Sequence, residues 1–505
     1  MSLINQRPLH GRDLMEALWG WEIVEAVKGI HKGGKKDFLL SGVSTDTRLL
    51  KAGELFVAIS GKKYDGHAFI PHALAKGAGG LLVSRDVGGV PSDVLVVEVK
   101  DTIEALGRLA RYYKEKLPVK VVAVTGTNGK TSTKEMLHHL LSPSFRMVSS
   151  PGNYNNFVGV PLSLFQMEPY HELAVIEMGT SAPGEIRWLS WMTQPEIGVI
   201  TNVSEAHLEG LGDVEGVAMA KAELIENINQ GGYLAFNADN PWCQWMAKTF
   251  PGRFISFGLG EGAHIRGTEL KEQEGGLSFT VNGRHNVFLN TPGVHNVYNA
   301  LAALAVGYSL GLNLGELSLR LADFRLPPMR MEKHRVGGVT IINDAYNANP
   351  ASMFAALAEL SRMNVSGQKC LICGDMAELG KEAVDLHVEL GERIAAADVE
   401  LLLVTGRFAV EVARGALEAG MAKWQIQVCN NLDEVCNAAT TYLKEGDTVL
   451  LKGSRCMRLE EVCSHLKEHF SSPLFLQGQS ASCGSDMAQA DGDKDLALSE
   501  ERVPA

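Results

Sequence analysis

A glycine-rich segment that ends in a Lys-Thr pair is the strongest chemical feature of this chain. Residues 119–131 read Val-Lys-Val-Val-Ala-Val-Thr-Gly-Thr-Asn-Gly-Lys-Thr, and a helical pattern follows over 132–141. Backbone N–H groups of such a turn and of a helix N-terminus bind anions. Lys130 would reach the β- and γ-phosphates of a nucleotide, and the Thr131 hydroxyl would bind Mg²⁺. The segment predicts a phosphate-binding loop for ATP or GTP.

This loop is shorter than the common form. The pattern G-x-x-x-x-G-K-[ST] begins with a glycine at the position where Val124 stands. The candidate nucleotide-binding residues of the compact loop are Gly126, Thr127, Asn128, Gly129, Lys130 and Thr131. An ordinary glycine-containing turn between a strand and a helix is the alternative interpretation.

Other polar side chains follow apolar runs of the same region. Glu177 comes directly after the run 173–176, and His207 lies shortly after the run 197–200. Parallel sheets gather ligands at the carboxyl ends of their strands, so both side chains should meet Lys130 at one edge. A carboxylate there can hold Mg²⁺ against nucleotide and substrate oxygens. The alternatives are a helix cap for Glu177 and a loop hydrogen-bond donor for His207.

Four more residues stand at positions that suit nucleotide chemistry. Lys221 lies in an apolar half-turn of a helical pattern, where spacing alone favours a surface lysine with its ammonium in water. Asn299 lies at the start of an Ala-rich helix and could cap it or face a base. Arg330 follows a Pro-Pro pair and could bind the γ-phosphate on domain closure. Asp344 follows the run 340–343, where it could bind ribose hydroxyls or form a turn.

Composition limits the class of protein. With 505 residues, 45% of them hydrophobic and 21% charged, the chain should form several soluble globular domains. The net charge of −12 argues against binding nucleic acid or anionic membranes through bulk charge. We expect a cytoplasmic protein without membrane insertion, because no signal peptide or spanning run is found. The eight cysteines are too few for a disulfide scaffold, and Cys370 and Cys373 are interpreted as buried strand thiols.

The chain divides into three blocks and a tail. Residues 1–117 mix short strands with helices, and residues 118–326 alternate apolar runs with helices as in parallel βαβ units. A β insertion is expected over 254–289. Residues 327–470 repeat the α/β pattern, and 471–505 lack apolar periodicity, which predicts disorder. The expected fold is a small α/β N-terminal domain, a central mononucleotide-binding parallel sheet and a C-terminal Rossmann-like domain.

Taken in order, these motifs resemble those of the Mur ligase family, ATP-dependent amide-bond-forming enzymes of peptidoglycan synthesis. The resemblance covers roughly residues 40–465 and rests on 126–131, Asn153-Tyr-Asn-Asn156, Glu177-Met-Gly, Ala206-His-Leu-Glu-Gly210, Ala220-Lys-Ala-Glu, Asn237-Ala-Asp-Asn240, Gly293-Val-His-Asn296 and Gly374-Asp-Met-Ala-Glu-Leu-Gly380. Each segment is weak alone, but the ordered set is highly specific. The short phosphate loop is the usual form in this family.

The resemblance implies ATP and Mg²⁺ as cofactors. The segments 344–350 and 374–380 are similar to those of the member that joins UDP-N-acetylmuramoyl-tripeptide to D-alanyl-D-alanine. The implied catalytic residues are Lys130, Lys221, His207 and Arg330. The implied metal ligands are Thr131, Glu177, His207 and Lys221, the last because it matches a lysine that is carbamylated in many relatives. Asn299 would face adenine, Arg330 a phosphate and Asp344 the ribose.

Substrate contacts are implied in three regions. In the first block, the segments 44–48 and 61–67 resemble a grip on the UDP-sugar, formed by Ser44, Asp46, Arg48, Lys62, Asp65 and His67. Asn155 is a substrate-binding candidate of the middle block. The candidates for the dipeptide or acyl-phosphate side are Tyr346, Asn347, Asn349, Lys452 and Ser454.

The implied reaction activates a carboxylate with ATP and couples it to an amine, with domain closure at linkers near Pro118 and Pro327. Three alternatives remain at this point. A sibling ligase could add one amino acid to a murein precursor or glutamate to folate, although the UDP-sugar segments argue against folate. A substrate-independent P-loop ATPase and a non-catalytic nucleotide-binding protein are the others. We expect a monomer.

Overall fold

The computed structural model describes residues 15–61, 64–273 and 275–472, which form three α/β units in chain order. None of the helices in these ranges combines the length and apolarity that a membrane crossing needs. Lys62 lies outside the described residues, as does the predicted disordered tail from 473 onward. The tail was predicted over 471–505, and its first residue, Ser471, is the last residue of a helix.

The first unit carries a five-stranded sheet and a small two-stranded one. Its strands are β1 (Leu18–Trp19), β2 (Ile30–Gly33), β3 (Leu39–Leu40), β4 (Val43–Ser44), β5 (Leu55–Val57), β6 (Gly80–Val83) and β7 (Leu95–Glu98). Its helices are α1 (Gly20–Val27), α2 (Ile70–Ala75), α3 (Thr102–Glu115) and a 3₁₀ turn at Gly66–Phe69. The larger sheet has the order β2-β7-β6-β5-β4 and is antiparallel only between β2 and β7.

The second unit is built on a nine-stranded sheet. Its strands are β8 (Lys120–Thr125), β9 (Met147–Ser149), β10 (Leu173–Glu177), β11 (Ile197–Ile200), β12 (Tyr233–Asn237), β13 (Arg253–Gly258), β14 (Ile265–Gln273), β15 (Gly276–Val281) and β16 (His285–Leu289). The order is β16-β15-β14-β13-β12-β11-β8-β10-β9. Pairs from β9 to β14 are parallel, and β14 to β16 form antiparallel hairpins, which confirms the expected β insertion.

Helices cover both faces of this sheet. They are α4 (Lys130–Leu141), α5 (Gly159–Leu164), α6 (Glu185–Thr193), α7 (Leu208–Leu211), α8 (Val214–Ala222), α9 (Pro241–Thr249), α10 (Val294–Ser309) and α11 (Leu314–Arg320), with 3₁₀ turns at Ile225–Asn227 and Leu321–Asp323. Because strands covered on both sides must be apolar throughout, β8 buries every residue after Lys120. The phosphate loop therefore follows a strand fixed in the middle of the sheet.

The third unit carries a six-stranded sheet of order β17-β18-β22-β19-β20-β21, antiparallel only between β17 and β18. Its strands are β17 (Glu332–Val336), β18 (Val339–Asn343), β19 (Lys369–Cys373), β20 (Leu401–Thr405), β21 (Ile426–Cys429) and β22 (Thr448–Lys452). Its helices are α12 (Pro350–Arg362), α13 (Ala383–Ala395), α14 (Ala409–Glu418), α15 (Leu432–Tyr442) and α16 (Leu459–Ser471), with 3₁₀ turns at Gly380–Glu382, Lys423–Gln425 and Arg455–Met457. Cys370 and Cys373 are buried in β19, as predicted, and burial raises the pKa of both thiols.

The first two units share one apolar core, whereas the third packs mainly its own. Helix α3 contacts α5 and α6 of the second unit. The ring of Tyr113 lies 5.7 Å from that of Phe165, and its hydroxyl donates to the Met167 carbonyl at 2.6 Å. The clusters on the two faces of the third sheet consist almost wholly of that unit's own residues. The third unit is thus the one that can move relative to the others with least loss of apolar contact.

Candidate active site

A cavity of about 690 Å³ lies between the carboxyl ends of the central strands and the third unit. The sequence-predicted residues that line it are Thr127, Asn128, Gly129, Lys130, Thr131, Asn155, Glu177, His207, Asn299, Arg330, Asp344, Tyr346, Asn347, Asn349 and Lys452. Most candidates thus meet at one place, as expected for polar residues that follow neighbouring parallel strands. Gly126, Lys221, Ser454 and the described first-unit candidates are not among the lining residues.

The phosphate loop has a backbone that depends on its glycines. Gly126 has φ +148°, and a side chain there would overlap the Thr201 hydroxyl. Gly129 has φ +81° and caps helix α4, and a Cβ there would overlap the Asn299 amide oxygen. Lys130 folds back over this loop, because its Nζ donates to the carbonyls of Gly126 (2.8 Å) and Thr127 (2.9 Å). The loop is thus a closely fitted turn with its lysine held above it.

Glu177 ends strand β10 and is almost fully buried, with 1% of its surface exposed. Its Oε1 accepts a hydrogen bond from Asn155 Nδ2 at 2.8 Å, whereas its Oε2 is buried without a partner among the described residues. A buried carboxylate oxygen without a partner is energetically costly. A cation or hydrogen-bond donor in the cavity would therefore stabilise this oxygen.

Lys221 is buried on helix α8, with 2% of its surface exposed, so the interpretation as a surface lysine is wrong. The short sequence pattern could not show that this helix packs among α6, α7 and α9. Burial, together with the positive charge of Lys130, lowers the pKa of its amine to about 7. A large fraction of this amine is therefore neutral near neutral pH.

His207 links the second and third units. It adopts a left-handed conformation, with φ +55°, just before helix α7. Its Nδ1 pairs with the carboxylate of Glu378, a residue of the loop after β19, and this hydrogen bond lowers the pKa of Glu378. The carboxylate partner at Nδ1 fixes the orientation of the ring. The other imidazole nitrogen is left available for a ligand.

Arg330 also crosses between units. Its Nη2 donates to the Thr131 hydroxyl at 2.9 Å, and its guanidinium carbon lies 4.1 Å from the centre of the Tyr346 ring. A guanidinium that stacks on an aromatic ring is held in one plane. Arg330 is therefore positioned at the start of α4, where phosphate binds in loops of this kind.

Two polar pairs form the wall that the third unit contributes. Asp344 Oδ2 lies 2.6 Å from Lys452 Nζ, which also donates to the Asn347 carbonyl at 3.1 Å. Asn349 caps helix α12 and exchanges two amide hydrogen bonds with Asn128 of the phosphate loop, at 2.9 and 3.3 Å. The cap of a third-unit helix is thus bonded directly to the loop.

Three other candidates form hydrogen bonds mainly with neighbouring groups of the protein. The amide of Asn299 accepts from Thr133 Oγ1 at 3.3 Å and donates to Asn296 at 3.2 Å, below the loop. The Ser454 hydroxyl accepts from the Ala377 N–H at 2.8 Å and so ties two loops together. Asn155 supports Glu177. Structural roles are therefore already visible for all three side chains.

The described first-unit candidates lie at the end of the parallel strand β4 or in the segments that follow β4 and β5. Ser44 bonds to the Asp46 backbone, and Asp46 pairs with Arg48 at 2.7 Å. Asp65 accepts from His67 Nδ1 at 2.7 Å, while the Ser84 N–H donates to His67 Nε2 at 3.0 Å. The His67 proton therefore lies on Nδ1.

Sequence reasoning missed several residues that line the cavity. Glu378 and Arg455 follow strands β19 and β22, so the rule that led to Glu177 could also have found them. His295 and Tyr298 lie in the first turns of α10 and also reach the cavity, and burial lowers the pKa of His295. Among the described residues, no three His, Cys, Asp or Glu side chains form a metal-binding group.

Three family models match successive parts of the chain. They are the Mur ligase family, catalytic domain, over residues 39–114, the Mur ligase middle domain over 124–307, and the Mur ligase, glutamate ligase domain, over 329–455. Their order follows that of the three α/β units.

Similar curated proteins extend over almost the same length. The UDP-N-acetylmuramoyl-tripeptide–D-alanyl-D-alanine ligase of Bacillus subtilis is 36% identical over 455 residues, which are 90% of this chain and 98% of the relative. The Escherichia coli ligase of the same name is 37% identical over 462 residues, which are 89% of this chain and 98% of that protein.

Solved structures agree with these relatives. A crystal structure of MurF from Acinetobacter baumannii matches with a TM-score of 0.83 at 29% identity, covering 90% of this chain and 99% of that one. MurF ligase from Thermotoga maritima in complex with ADP matches with a TM-score of 0.75 at 28% identity, covering 85% and 98%. With family models over all three units and relatives above 30% identity over most of its length, this chain belongs to the Mur ligase family.

Proposed function

We propose that this chain joins D-alanyl-D-alanine to UDP-N-acetylmuramoyl-tripeptide with ATP, and so forms the UDP-muramoyl-pentapeptide of peptidoglycan synthesis. The observation that carries the proposal is similarity over about nine-tenths of the chain to ligases named for these two substrates. The ADP complex of the Thermotoga maritima relative supports ATP as the nucleotide.

A carboxylate is a poor acyl donor at neutral pH, so it must be activated before an amine can attack it. A carboxylate oxygen of the tripeptide attacks the γ-phosphorus of ATP, the bond to the bridging oxygen breaks, and ADP leaves. The dipeptide amine then attacks the carbonyl carbon of the acyl phosphate. The tetrahedral intermediate loses a proton and collapses, and inorganic phosphate departs with the oxygen that came from the carboxylate. Positioning and charge stabilisation supply most of the catalysis in such steps.

Lys130 and Arg330 are the cations proposed to neutralise the transferred phosphoryl group. Lys130 Nζ bonds to two carbonyls of its own loop, so nucleotide binding would exchange these bonds for phosphate oxygens. Arg330 touches the Thr131 hydroxyl at the N-terminus of α4 and would contact phosphate from the side of the third unit. Both cations would then lie where negative charge develops.

Mg²⁺ fits the residues around Glu177. The unpartnered Oε2 offers a hard, negatively charged oxygen, and the Thr131 hydroxyl lies on the same cavity wall. We assign Glu177, Thr131 and His207 as the side chains that would hold the metal. Bound there, Mg²⁺ would supply positive charge to the phosphate oxygens.

Lys221 is proposed to carry a carbamate. Only a neutral amine attacks CO₂, and burial already lowers the pKa of this amine to about 7. The product is a carboxylate-like group that replaces a buried cation with an anion able to bind Mg²⁺. Carbamylation would also relieve the repulsion between Lys221 and Lys130.

The remaining assignments concern substrate recognition. Asn299 is proposed to lie next to adenine and Asp344 to bind the ribose. The first-unit residues Ser44, Asp46, Arg48, Asp65 and His67 are proposed to hold the UDP-sugar. The third-unit residues proposed for the dipeptide or acyl phosphate are Tyr346, Asn347, Asn349, Lys452 and Ser454.

Phosphate release from ATP tests the proposal. The purified chain is incubated with UDP-N-acetylmuramoyl-tripeptide, with and without D-alanyl-D-alanine, and products are identified by mass spectrometry. Release that needs both substrates and yields the pentapeptide supports the proposal. Release with a single amino acid would indicate a sibling ligase, and ATP turnover indifferent to either substrate would indicate a P-loop ATPase.

A further inference from the structure

The dipeptide substrate of the proposed function brings a free carboxylate close to the ATP phosphates. That charge must be matched by a cation, because unpaired negative charge in a partly closed site is costly. Four Lys and Arg side chains line the described cavity: Lys130, Arg330, Lys452 and Arg455. Each can be judged by the partners it already has.

Three of the four cations are already engaged. Lys130 bonds to the phosphate loop, and Arg330 bonds to Thr131 and stacks on Tyr346. Lys452 is 3% exposed and lies 2.6 Å from Asp344. These three side chains are therefore held by partners within the protein.

Arg455 differs in both exposure and partners. Its side chain is 54% exposed and follows β22 on a short 3₁₀ turn. Its Nη1 lies 2.9 Å from Glu460 Oε1 and 3.1 Å from Met329 Sδ. Its Nε and Nη2 make no hydrogen bond within the part of the chain that the structure describes. Two of the three guanidinium nitrogens, Nε and Nη2, are thus free to donate, while Nη1 is held by Glu460.

Glu460 gives this arginine a defined position. It lies in the first turn of α16, and its second oxygen, Oε2, is buried without a partner among the described residues. The other oxygen, Oε1, holds Arg455 from one side. A guanidinium held in this way binds a second carboxylate through parallel N–H donors at little entropic cost.

We infer that Arg455 binds the C-terminal carboxylate of D-alanyl-D-alanine through Nε and Nη2. The assignment rests on the proposed function and names the residue that recognises the far end of its second substrate. Arg455 belongs to the third unit and lines the same cavity as Tyr346, Arg330 and the phosphate loop. A dipeptide held by Arg455 would direct its amine toward that loop. Recognition of the carboxylate would then set the orientation of the attacking nitrogen.

The test pairs a residue change with a substrate change. D-alanyl-D-alaninamide lacks the carboxylate but keeps the attacking amine. The wild-type chain should use it with a KM roughly 10–100-fold above that for D-alanyl-D-alanine, as expected for a lost charged hydrogen-bond pair. In Arg455→Met the two dipeptides should have similar, high KM values. Arg455→Lys should restore part of the preference, whereas the KM values for ATP and the UDP-tripeptide should stay unchanged.

Arg458→Met is the matched control. Arg458 is 65% exposed and paired with Glu461 in the same segment, but it does not line the cavity. This variant should keep the wild-type preference for the acid dipeptide. Melting curves of both variants verify that each is folded.

Three outcomes would overturn the inference alone. They are equal use of acid and amide by the wild-type chain, an unchanged preference in Arg455→Met, and a rise in the KM for the UDP-tripeptide instead of the dipeptide. Absence of any product from D-alanyl-D-alanine in the wild-type chain would overturn the proposed function instead.

Discussion

Glu177 has one carboxylate oxygen bonded to Asn155 and the other buried without a partner. In the free protein this arrangement costs stability, and in a metal complex it supplies a ligand. We predict that Glu177→Gln lowers the ligation rate by roughly 100-fold or more, a scale typical of lost transition-state charge stabilisation. The melting temperature of the ligand-free protein should stay the same or rise.

Glu54→Gln is the control for this prediction. Glu54 is another buried carboxylate, but it lies in the first unit and does not line the cavity. Calorimetry and the coupled phosphate assay would measure both variants. A large drop in the melting temperature of Glu177→Gln, with activity retained, would contradict the metal assignment.

Lys221 gives a pH-dependent prediction. Its folded-state pKa of about 7 lies below the ordinary lysine value, so the neutral, CO₂-reactive amine predominates as the pH rises above 7. Carbamylation should therefore increase between pH 6 and pH 8, roughly one unit on either side of that pKa. NMR of the protein in isotopically labelled bicarbonate should show a carbamate signal that Lys221→Met lacks. A signal of equal size in that variant would contradict the assignment.

The position of a single site residue was predictable where that residue follows a buried strand. Glu177, His207 and Asp344 follow buried apolar runs, and parallel strands deliver such positions to one edge. Lys221 was harder, because its burial depends on a helix packed against neighbouring helices of the same unit. The pairing of His207 with Glu378 joins residues far apart in the sequence, and no local pattern encodes it.

The loop 150–156, between β9 and α5, is an element held by one buried lysine. Lys134 of α4 is fully buried, and its Nζ donates to the carbonyls of Ser150 (2.7 Å) and Gly152 (3.0 Å). The same loop carries Asn155, which bonds to Glu177. The phosphate-loop helix therefore fixes the support of the proposed metal ligand.

We predict that Lys134→Met accelerates amide hydrogen exchange over 150–156 by roughly 10–100-fold, since the carbonyls of Ser150 and Gly152 lose their donor. Ligation should slow in parallel. Lys114→Met is the control, because Lys114 is a buried lysine on α3 that lies 3.9 Å from Glu196, outside the cavity. Unchanged exchange over 150–156 in Lys134→Met would contradict this role.

Elements were predicted best where both faces are covered. The apolar runs 173–176, 197–200 and 340–343 form the strands β10, β11 and β18 to within one residue, since continuous apolar runs identify buried strands. The strand order and the antiparallel end of the central sheet depend on long-range pairing, which periodicity does not encode. The domain bounds 1–117, 118–326 and 327–470 stay a prediction.

At the scale of the whole molecule, the third unit meets the phosphate loop through polar contacts. The amide pair between Asn128 and Asn349 and the bond from Arg330 to Thr131 join the two sides of the cavity. A few polar contacts are easily broken and remade. The apolar core that the first two units share is much harder to separate. Closure of the third unit would assemble the site and exclude water.

Asn349→Ser tests this closure. Serine keeps the N-cap of α12 but is too short to bond to Asn128, so the melting temperature should hold. Loss of the amide pair should favour a more open molecule, with a larger radius of gyration by small-angle X-ray scattering and a several-fold lower kcat. Asn313→Ser, at the N-cap of α11, is the matched control. A kcat and radius identical to those of the control would contradict the role of the pair.

Oxygen transfer tests the central claim most directly. The carboxylate of UDP-N-acetylmuramoyl-tripeptide is labelled with heavy oxygen, and the products of a reaction with ATP and D-alanyl-D-alanine are analysed by mass spectrometry. If ligation proceeds through an acyl phosphate, one labelled oxygen remains in the new amide and the other leaves in inorganic phosphate. Unlabelled phosphate, or phosphate released without pentapeptide, would contradict the account.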